Sequence, residues 1–356
     1  MEWEVLVHWC ILALGHRSWV GPQYDRPVLL EKGAKVNAQG DHGSPLQAAA
    51  SGGYATIVQL LLEKGADVSA HGGEYGTALQ AAASSGHETT VRLLIERGAD
   101  VNAQGGRSGT ALCAAAVNGH DRIVRLLLEK GAEVDAQEDG GSALQAAALR
   151  GHYMIVRLLL QQGADLSAQG GIDGTVLQAA ASNGHETTVQ LLIERGADVN
   201  AQGGRDGSAL QTAVYHGREM TVRLLLDKGA DVNAKGGFCG SVLQAAMFIE
   251  DDMIVRLLLE KGADVNASGG YYGSALQAAA LRGHNMIIRS LLEKGAEVSA
   301  QGGKYGGALA AATLNGHDTI ASLLLEAATA VANENPSMTA FPDWKLVHSV
   351  SRHHLF

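Results

Sequence analysis

Cysteine is scarce in this sequence. Its 356 residues include only three cysteines, Cys10, Cys113 and Cys239, which are scattered and form no C-x-x-C pair. This scarcity excludes a disulfide framework and a cysteine-based zinc site, and it indicates a chain from a reducing compartment. We therefore expect the protein in the cytoplasm, the nucleus or both.

Runs of basic residues are also absent. The chain has 27 Lys and Arg against 37 Asp and Glu, which gives a formal net charge of -10. Binding to nucleic acid phosphates needs a stripe of Lys and Arg, so no direct nucleic acid partner is expected. The acidic balance instead favours contact with a protein, for example a basic regulatory protein.

No apolar run is long enough to span a membrane. The most apolar segment near the start, residues 5–15 (VLVHWCILALG), is too short to cross a bilayer and follows the acidic residues Glu2 and Glu4, unlike a signal peptide. We interpret it as part of an N-terminal cap and expect no association with membranes.

A phrase close to G-[ST]-x-L-Q-A-A-A-x-x-G-H-x-x-x-V-x-L-L-L-E-x-G-A-D-V-x-A-x-G-G recurs about nine times, at a period of about 33 residues. Its first glycines are Gly43, Gly76, Gly109, Gly141, Gly174, Gly207, Gly240, Gly273 and Gly306. A fixed period of this size is typical of a stack of small units that bury their apolar faces only against each other. Such an array favours a binding surface over an enzyme active site.

Each copy predicts two helices and a loop. In the second copy, Thr77 suits the N-cap of a first helix whose alanines allow close packing, and Gly86 ends that helix in a left-handed turn. His87 begins a second helix with an apolar face at helical spacing, and Gly98 ends it. Residues 99–106 then form an extended stretch and a Gly-Gly turn.

These residues resemble the ankyrin repeat, in the S/T-x-L-x-x-A start, the G-H turn and the G-A-D-V-N-A segment. The resemblance implies an all-α ankyrin-repeat solenoid of helix-turn-helix units with projecting β-hairpin loops. The array is predicted at 29–326, as a half repeat and about nine full repeats, between a degenerate cap at 1–28 and a C-terminal helix end and disordered tail at 327–356. The L-Q-A-A-A wording is similar to that of ankyrin arrays in filamentous fungi.

Glutamine occupies the position where the ankyrin family carries the histidine of T-P-L-H. We expect its amide to form hydrogen bonds between repeats. These residues are Gln47, Gln80, Gln145, Gln178, Gln211, Gln244 and Gln277.

Histidines and aspartates recur at fixed places in the repeat, which indicates structural roles. The histidines that follow the turn glycine are His87, His120, His152, His185, His284 and His317. They lie about one repeat apart, too far to share a metal ion. The aspartates of the G-A-D segments are expected to bond the local backbone. Phosphate-loop, H-E-x-x-H and nucleophile motifs are absent, so we predict a non-enzymatic protein with no catalytic residues, cofactor or metal.

The positions that differ between repeats carry the information on binding. In ankyrin arrays the loop tips and the exposed face of the first helix line a concave groove for partners, and here both become more apolar toward the C-terminal half. Aromatic residues at such places are typical interface anchors. The predicted partner-binding residues are Tyr215, Phe238, Phe248, Ile249, Tyr271, Tyr272, Leu281 and Tyr305. Ordinary loop packing with neutral drift is the alternative interpretation.

The seventh repeat breaks the pattern. Residues 247–252 (MFIEDD) replace the usual A-x-x-G-H, so Glu250 falls where a left-handed glycine belongs, at a cost of about 1 kcal/mol. Either the turn is remodelled or this repeat is a soft hinge, and its acidic residues beside aromatic ones could also receive a partner.

Two functions are compatible with these features. The first is a monomeric protein–protein interaction scaffold, acting as a regulatory adaptor or transcription co-regulator through its groove. The second is a sensing or inhibitory fragment of a larger multidomain signalling protein, suggested by the half repeat at 29–39. Fold alone does not decide between them.

Overall fold

The computed structural model describes residues 36–40, 43–137, 141–171 and 174–334. The predicted cap at 1–28, the start of the half repeat and the chain beyond residue 334 lie outside the described residues. The described chain belongs to two compact units, Met1–Ala197 and Asp198–Phe356.

The described residues form helix pairs, one pair per repeat. The first helices are α1 (Pro45–Ser51), α3 (Ala78–Ser85), α5 (Ala111–Val117), α7 (Ala143–Arg150), α9 (Val176–Ser182), α11 (Ala209–Tyr215), α13 (Val242–Ala246), α15 (Ala275–Arg282) and α17 (Ala308–Leu314). The second helices are α2 (Ala55–Glu63), α4 (Glu88–Glu96), α6 (Asp121–Glu129), α8 (Tyr153–Gln161), α10 (Glu186–Glu194), α12 (Glu219–Asp227), α14 (Asp252–Glu260), α16 (Asn285–Glu293) and α18 (Asp318–Glu334). None of these helices combines the length and the apolar character needed to cross a membrane.

Short antiparallel hairpins connect the helix pairs. The paired strands are β1 (Gln169–Gly170) with β2 (Gly174–Thr175), β3 (Gln202–Gly203) with β4 (Gly207–Ser208), and β5 (Lys235–Gly236) with β6 (Gly240–Ser241). Other loops form single bridges instead, such as the one between Gly72 and Gly76. The predicted fold class, helix pairs with projecting hairpin loops, is confirmed.

In six repeats the first helix begins with a reciprocal cap whose glutamine also joins neighbouring repeats. At α3 the Thr77 hydroxyl accepts from the Gln80 amide at 3.2 Å, and the Gln80 side-chain oxygen accepts from the Thr77 amide at 2.6 Å. The Gln80 side-chain nitrogen then donates to the carbonyls of Ala103 and Gly105, at 3.0 and 3.1 Å, in the next loop. The expected role of glutamine between repeats is therefore correct.

Small buried residues let the first helices pack closely. Ala81, Ala82 and Ala83 of α3 are fully buried, as are Val91 and Leu94 of α4, which packs beside it. Neither helix is long enough to be stable alone, so the packing of one pair on the next provides most of the stability. The core of each unit is thus a ribbon of alanine and branched aliphatic side chains.

The histidine after the turn glycine bonds the preceding repeat. Nε2 of His120 lies 3.0 Å from the carbonyl oxygen of Ser84, and since a carbonyl only accepts, Nε2 carries the proton. The ring also covers Gly86, where a side chain would come within 2.7 Å of it, and Gly86 has φ +83°. The equivalent carbonyl bonds are made by His87, His152, His185 and His317. The recurring histidines are thus part of the turn architecture, as predicted.

Asparagine in the loop supplies a second link between repeats. Asn102 donates from Nδ2 to the carbonyl of Gly131 at 3.1 Å, and its Oδ1 accepts from the amide of Glu133 at 2.8 Å. Asn37, Asn200, Asn233 and Asn266 make the same pair of bonds. The preceding aspartate accepts from this residue's own amide, as Asp100 does at 2.9 Å, which confirms its predicted local role.

The turn of the seventh repeat is remodelled. α13 ends at Ala246. The chain continues in tight turns, in which the amides of Phe248 and Ile249 donate to the carbonyls of Ala245 and Ala246. Asp251 then caps α14 by accepting from two helix amides at 2.9 and 3.2 Å. No described non-glycine residue has a positive φ. The first of the two alternatives, a remodelled turn, is therefore confirmed, and Glu250 avoids the left-handed conformation because the shortened helix no longer needs it.

Candidate protein-binding surface

Five aromatic rings pack together in the second unit. We define the aromatic cluster as Tyr215, Phe238, Phe248, Tyr271 and Tyr272. Phe248 is central, with ring centroids 5.0 Å from Tyr215, 6.0 Å from Phe238 and 5.2 Å from Tyr272. Phe238 stacks on Tyr271 at 5.7 Å with an interplanar angle of 23°. Aromatic pairs of this kind contribute about 0.5–1.5 kcal/mol each beyond the area they bury.

The cluster is assembled from three kinds of segment. Tyr215 ends α11, and Phe248 belongs to the remodelled turn after α13. Phe238, Tyr271 and Tyr272 come from loop tips. Because α13 is short, Phe248 lies in the turn that follows it. From there its ring contacts Tyr215 at the end of α11 and the rings of the loop tips, so the seventh repeat joins these segments.

Hydrogen bonds between neighbouring tips fix the loop residues. The amide of Phe238 donates to the carbonyl of Arg205 at 2.9 Å, and the amide of Lys304 donates to that of Tyr271 at 3.3 Å. Gly237, at φ +60°, lies so close to the backbone of Asp206 that a side chain there would collide with it. The tips are therefore held in place before any partner arrives, which lowers the entropic cost of binding.

Exposure divides the cluster into an outer and an inner part. Phe238 and Tyr271 are 39% and 40% exposed, whereas Tyr272 is only 8% exposed. Tyr215 and Phe248 are half-buried. The prediction that Tyr272 lies at an exposed position is therefore wrong. Its buried ring packs against Phe248 and Tyr271 and supports the outer rings from within. The pair available to a partner is Phe238 and Tyr271.

Three cations lie against these rings. Cζ of Arg205 is 5.5 Å from the Phe238 centroid, and Cζ of Arg282 is 4.6 Å from the Phe248 centroid. Nζ of Lys304 is 5.3 Å from the Tyr271 centroid and 5.4 Å from that of Tyr305. A side-chain hydrogen bond to the Tyr271 phenol, with smaller effects from the Tyr271 and Tyr305 phenols, raises the pKa of Lys304, so its ammonium stays charged. The attraction is that of a cation for the negative face of an aromatic ring.

The remaining predicted residues lie at the edge of the cluster or away from it. Tyr305 is half-buried beside Lys304. Ile249 is half-buried and faces Gly217, where an added side chain would meet its Cδ1 at 3.6 Å. In other repeats a histidine ring covers the turn glycine at this place. Leu281 is half-buried, and its carbonyl accepts from His317 at 3.1 Å.

The cations are the residues that the sequence analysis missed. Arg205 and Lys304 occupy the same variable tip position as Phe238 and Tyr271, and Arg282 lies in the last turn of α15. Their position among the variable residues was a usable signal. Their contact with the rings could not be predicted from the sequence, because each contact joins residues about one repeat apart in the chain.

The thiol beside Phe238 has no nucleophilic character. Cys239 is 1% exposed, and burial, with a smaller effect from Asp206, raises its pKa to about 12. A thiol of this kind stays protonated near neutral pH and is chemically inert. Within the described ranges, no group of three His, Cys, Asp or Glu residues is arranged to hold a metal ion.

Comparison with known proteins agrees with this geometry. A family model described as ankyrin repeats (3 copies) matches residues 27–105, 103–170, 168–236 and 242–335, which together are most of the chain. A solved structure of the human ASB11 ankyrin repeat domain is similar, with 27% identity and a TM-score of 0.56 over 62% of this chain and 99% of that one. No curated protein matches. Ankyrin repeats are protein–protein interaction modules, generally without catalytic activity, and this chain belongs to the ankyrin repeat family.

Proposed function

We propose that this protein is a non-enzymatic scaffold that binds a protein partner on the aromatic cluster of its second unit. The observation that carries the proposal is the exposure of the stacked pair Phe238 and Tyr271 on loop tips that are already fixed. Exposed aromatic side chains on a rigid support are the usual anchors of protein interfaces, since little side-chain freedom is lost on binding.

The fold does not require aromatic residues at these tips. In the first unit the same two positions hold Glu74 and Arg107, which form an ion pair at 3.1 Å while the backbone keeps its tip-to-tip hydrogen bond. An exposed charged pair is the ordinary solution for a soluble loop. The change to exposed rings in the second unit therefore supports a binding role over loop packing alone.

Within this function we propose a regulatory adaptor or transcription co-regulator, acting as a monomer in the cytoplasm or nucleus. Cys239 is a free, buried thiol, which supports a reducing compartment. The acidic net charge supports a role on protein and not on nucleic acid.

The test is recovery of partners from the source cells with paired variants of the full chain. The binding variant is Phe238→Ser with Tyr271→Ser. The control is Met154→Ser with Met220→Ser, since these methionines are 54% and 59% exposed on second helices, away from the loop tips. Circular dichroism and urea unfolding first establish that both variants fold as the natural chain does.

A protein recovered by the natural chain and the control, and lost from the binding variant, supports the proposal. A partner that is retained equally by both variants contradicts the proposed site. Partner identity, read by mass spectrometry, then tests the regulatory role, because a set without signalling or transcription proteins contradicts it.

A further inference from the structure

The charged groups in contact with the rings of the aromatic cluster have the opposite sign to the net charge of the chain. The formal net charge is -10, yet the groups against the rings are Arg205, Arg282 and Lys304. All three are exposed. A partner at this surface meets these cations at contact distance, where local charges outweigh distant ones that salt screens within about 10 Å.

These cations are not neutralised by the described part of the protein. No described carboxylate forms an ion pair with any of the three. Asp206 and Glu250 lie on the same loop and turn segments, but neither pairs with them. The contrast is Arg107, at the tip position equivalent to Lys304, whose charge is matched by Glu74.

Tyrosine at 271 explains the difference for Lys304. It stands where Glu74 stands in the first unit, so the lysine of the next tip meets a ring in place of a carboxylate. A neutral phenol or ring holds a cation without cancelling its charge. The Lys304 ammonium has three N–H donors, so beside its hydrogen bonds to the Tyr271 and Tyr305 phenols it can still bind a carboxylate, and so can the Arg guanidinium groups. Each such group beside the cluster can bind a carboxylate of a partner.

We propose that the occupant of the aromatic cluster is an acidic segment of a partner protein that also carries apolar side chains, an inference that rests on the proposed function. Its carboxylates pair with Arg205, Arg282 and Lys304, while its apolar side chains contact Phe238 and Tyr271. A basic segment is rejected because it places like charges beside three unpaired cations. This differs from the basic partner that the net charge of the chain suggests.

The experiment selects binders from a displayed library of random peptides of about twelve residues, against the immobilised full chain. The ring variant is Phe238→Ser with Tyr271→Ser. The charge variant is Arg205→Gln, Arg282→Gln and Lys304→Gln, with the rings intact. A matched control, Arg107→Gln, Arg122→Gln and Arg125→Gln, removes the same charge from the first unit. All variants are first shown to unfold in urea as the natural chain does.

We expect the selected peptides to be net negative and to contain apolar residues. Their affinity should fall at least about tenfold in both the ring variant and the charge variant, and change by less than about twofold in the control.

Two other results overturn this inference, and they differ from each other. Selected peptides that are neutral or basic, or that keep their affinity in the charge variant while losing it in the ring variant, refute the acidic partner and leave the proposed function standing. The proposed site is refuted as well if the selected peptides bind all variants equally. It is also refuted if selection on the natural chain enriches no peptides beyond those enriched on the ring variant.

Discussion

Nε2 of His87 lies 2.9 Å from the carbonyl oxygen of Ser51, one repeat earlier in the chain. The same bond recurs between neighbouring repeats, but the described structure shows none for His284, which follows the remodelled turn of the seventh repeat. Within the described structure, the buried Nδ1 of His284 has no hydrogen-bond partner. The histidine after the turn therefore stabilises the contact between repeats at His87, whereas at His284 it leaves a buried polar atom without a partner.

Replacing these two histidines should have unequal effects. His87→Leu removes a bond and leaves the Ser51 carbonyl without this partner, so we expect a loss of about 1–2 kcal/mol in the free energy of unfolding. His284→Leu removes a buried polar atom that has no partner, and should cost less or stabilise. Urea unfolding of both variants measures the difference. Equal losses would show that packing, and not the hydrogen bond, is what the histidine contributes.

The pH dependence of stability should report on His284. Burial lowers its pKa below the ordinary 6.5, Arg282 and His317 act in the same direction, and Glu250 opposes them. Below pH 6.5 the unfolded chain takes up a proton that the folded state resists, so stability falls as pH drops through the folded-state pKa. The urea midpoint should thus fall less in His284→Leu than in the natural chain between about pH 7.5 and about pH 5.5. Identical shifts in the two proteins would rule out this assignment.

A buried hydroxyl in α4 offers a stabilising substitution. The Thr90 hydroxyl is buried without a partner in the described structure, as are those of Thr188 and Thr221. Ile123 occupies the same position in the next repeat. Thr90→Val keeps the shape and removes the polar group, so the free energy of unfolding should rise by about 1 kcal/mol. Thr89→Val, on the exposed side of the same helix, is the control and should have little effect. A drop in stability for Thr90→Val would mean that the hydroxyl bonds water or backbone.

The loop asparagine can be added where it is missing. Ser69 occupies the position of Asn102, but is too short to reach the carbonyl of Gly98 and the amide of Asp100 in the next repeat. Ser69→Asn should form both bonds and raise the free energy of unfolding by about 1 kcal/mol, while Asn102→Ser should lower it by a similar amount. Urea midpoints give the sign of each change. The idea fails if both substitutions shift the midpoint in the same direction.

Much of the fold follows from the period of the sequence, because each repeat uses the same local devices. Thr77, Gly86 and Gln80 have cap, turn and bridging roles that their chemistry predicts. Asn102 was not recognised, since its two bonds join residues about 30 positions apart in the chain.

The site was only partly predictable for the same reason. Phe238 and Tyr271 could be chosen because they break a repeating pattern. The stacking of these two rings could not be predicted, and neither could their contacts with the cations. Both depend on the side-chain conformations of residues in neighbouring repeats. For the seventh repeat the sequence left two alternatives, and only the structure shows that Asp251 replaces the histidine as the cap. The predicted segments at 1–28 and beyond residue 334 stay predictions.

The remodelled seventh repeat also bears on how this array persists through evolution. Excision of residues 240–272 would bring His284 into register with Gly217 and the Tyr215 carbonyl, which is the spacing of the ordinary joint. Asn233 would likewise meet Gly295 in place of Gly262. Loss of this repeat would thus leave a joint of ordinary spacing. The excised segment would nevertheless take Phe248, Tyr271 and Tyr272 with it, three of the five rings. Under the proposed function, this irregular repeat would be retained for recognition, since its loss leaves a joint of ordinary spacing for the fold.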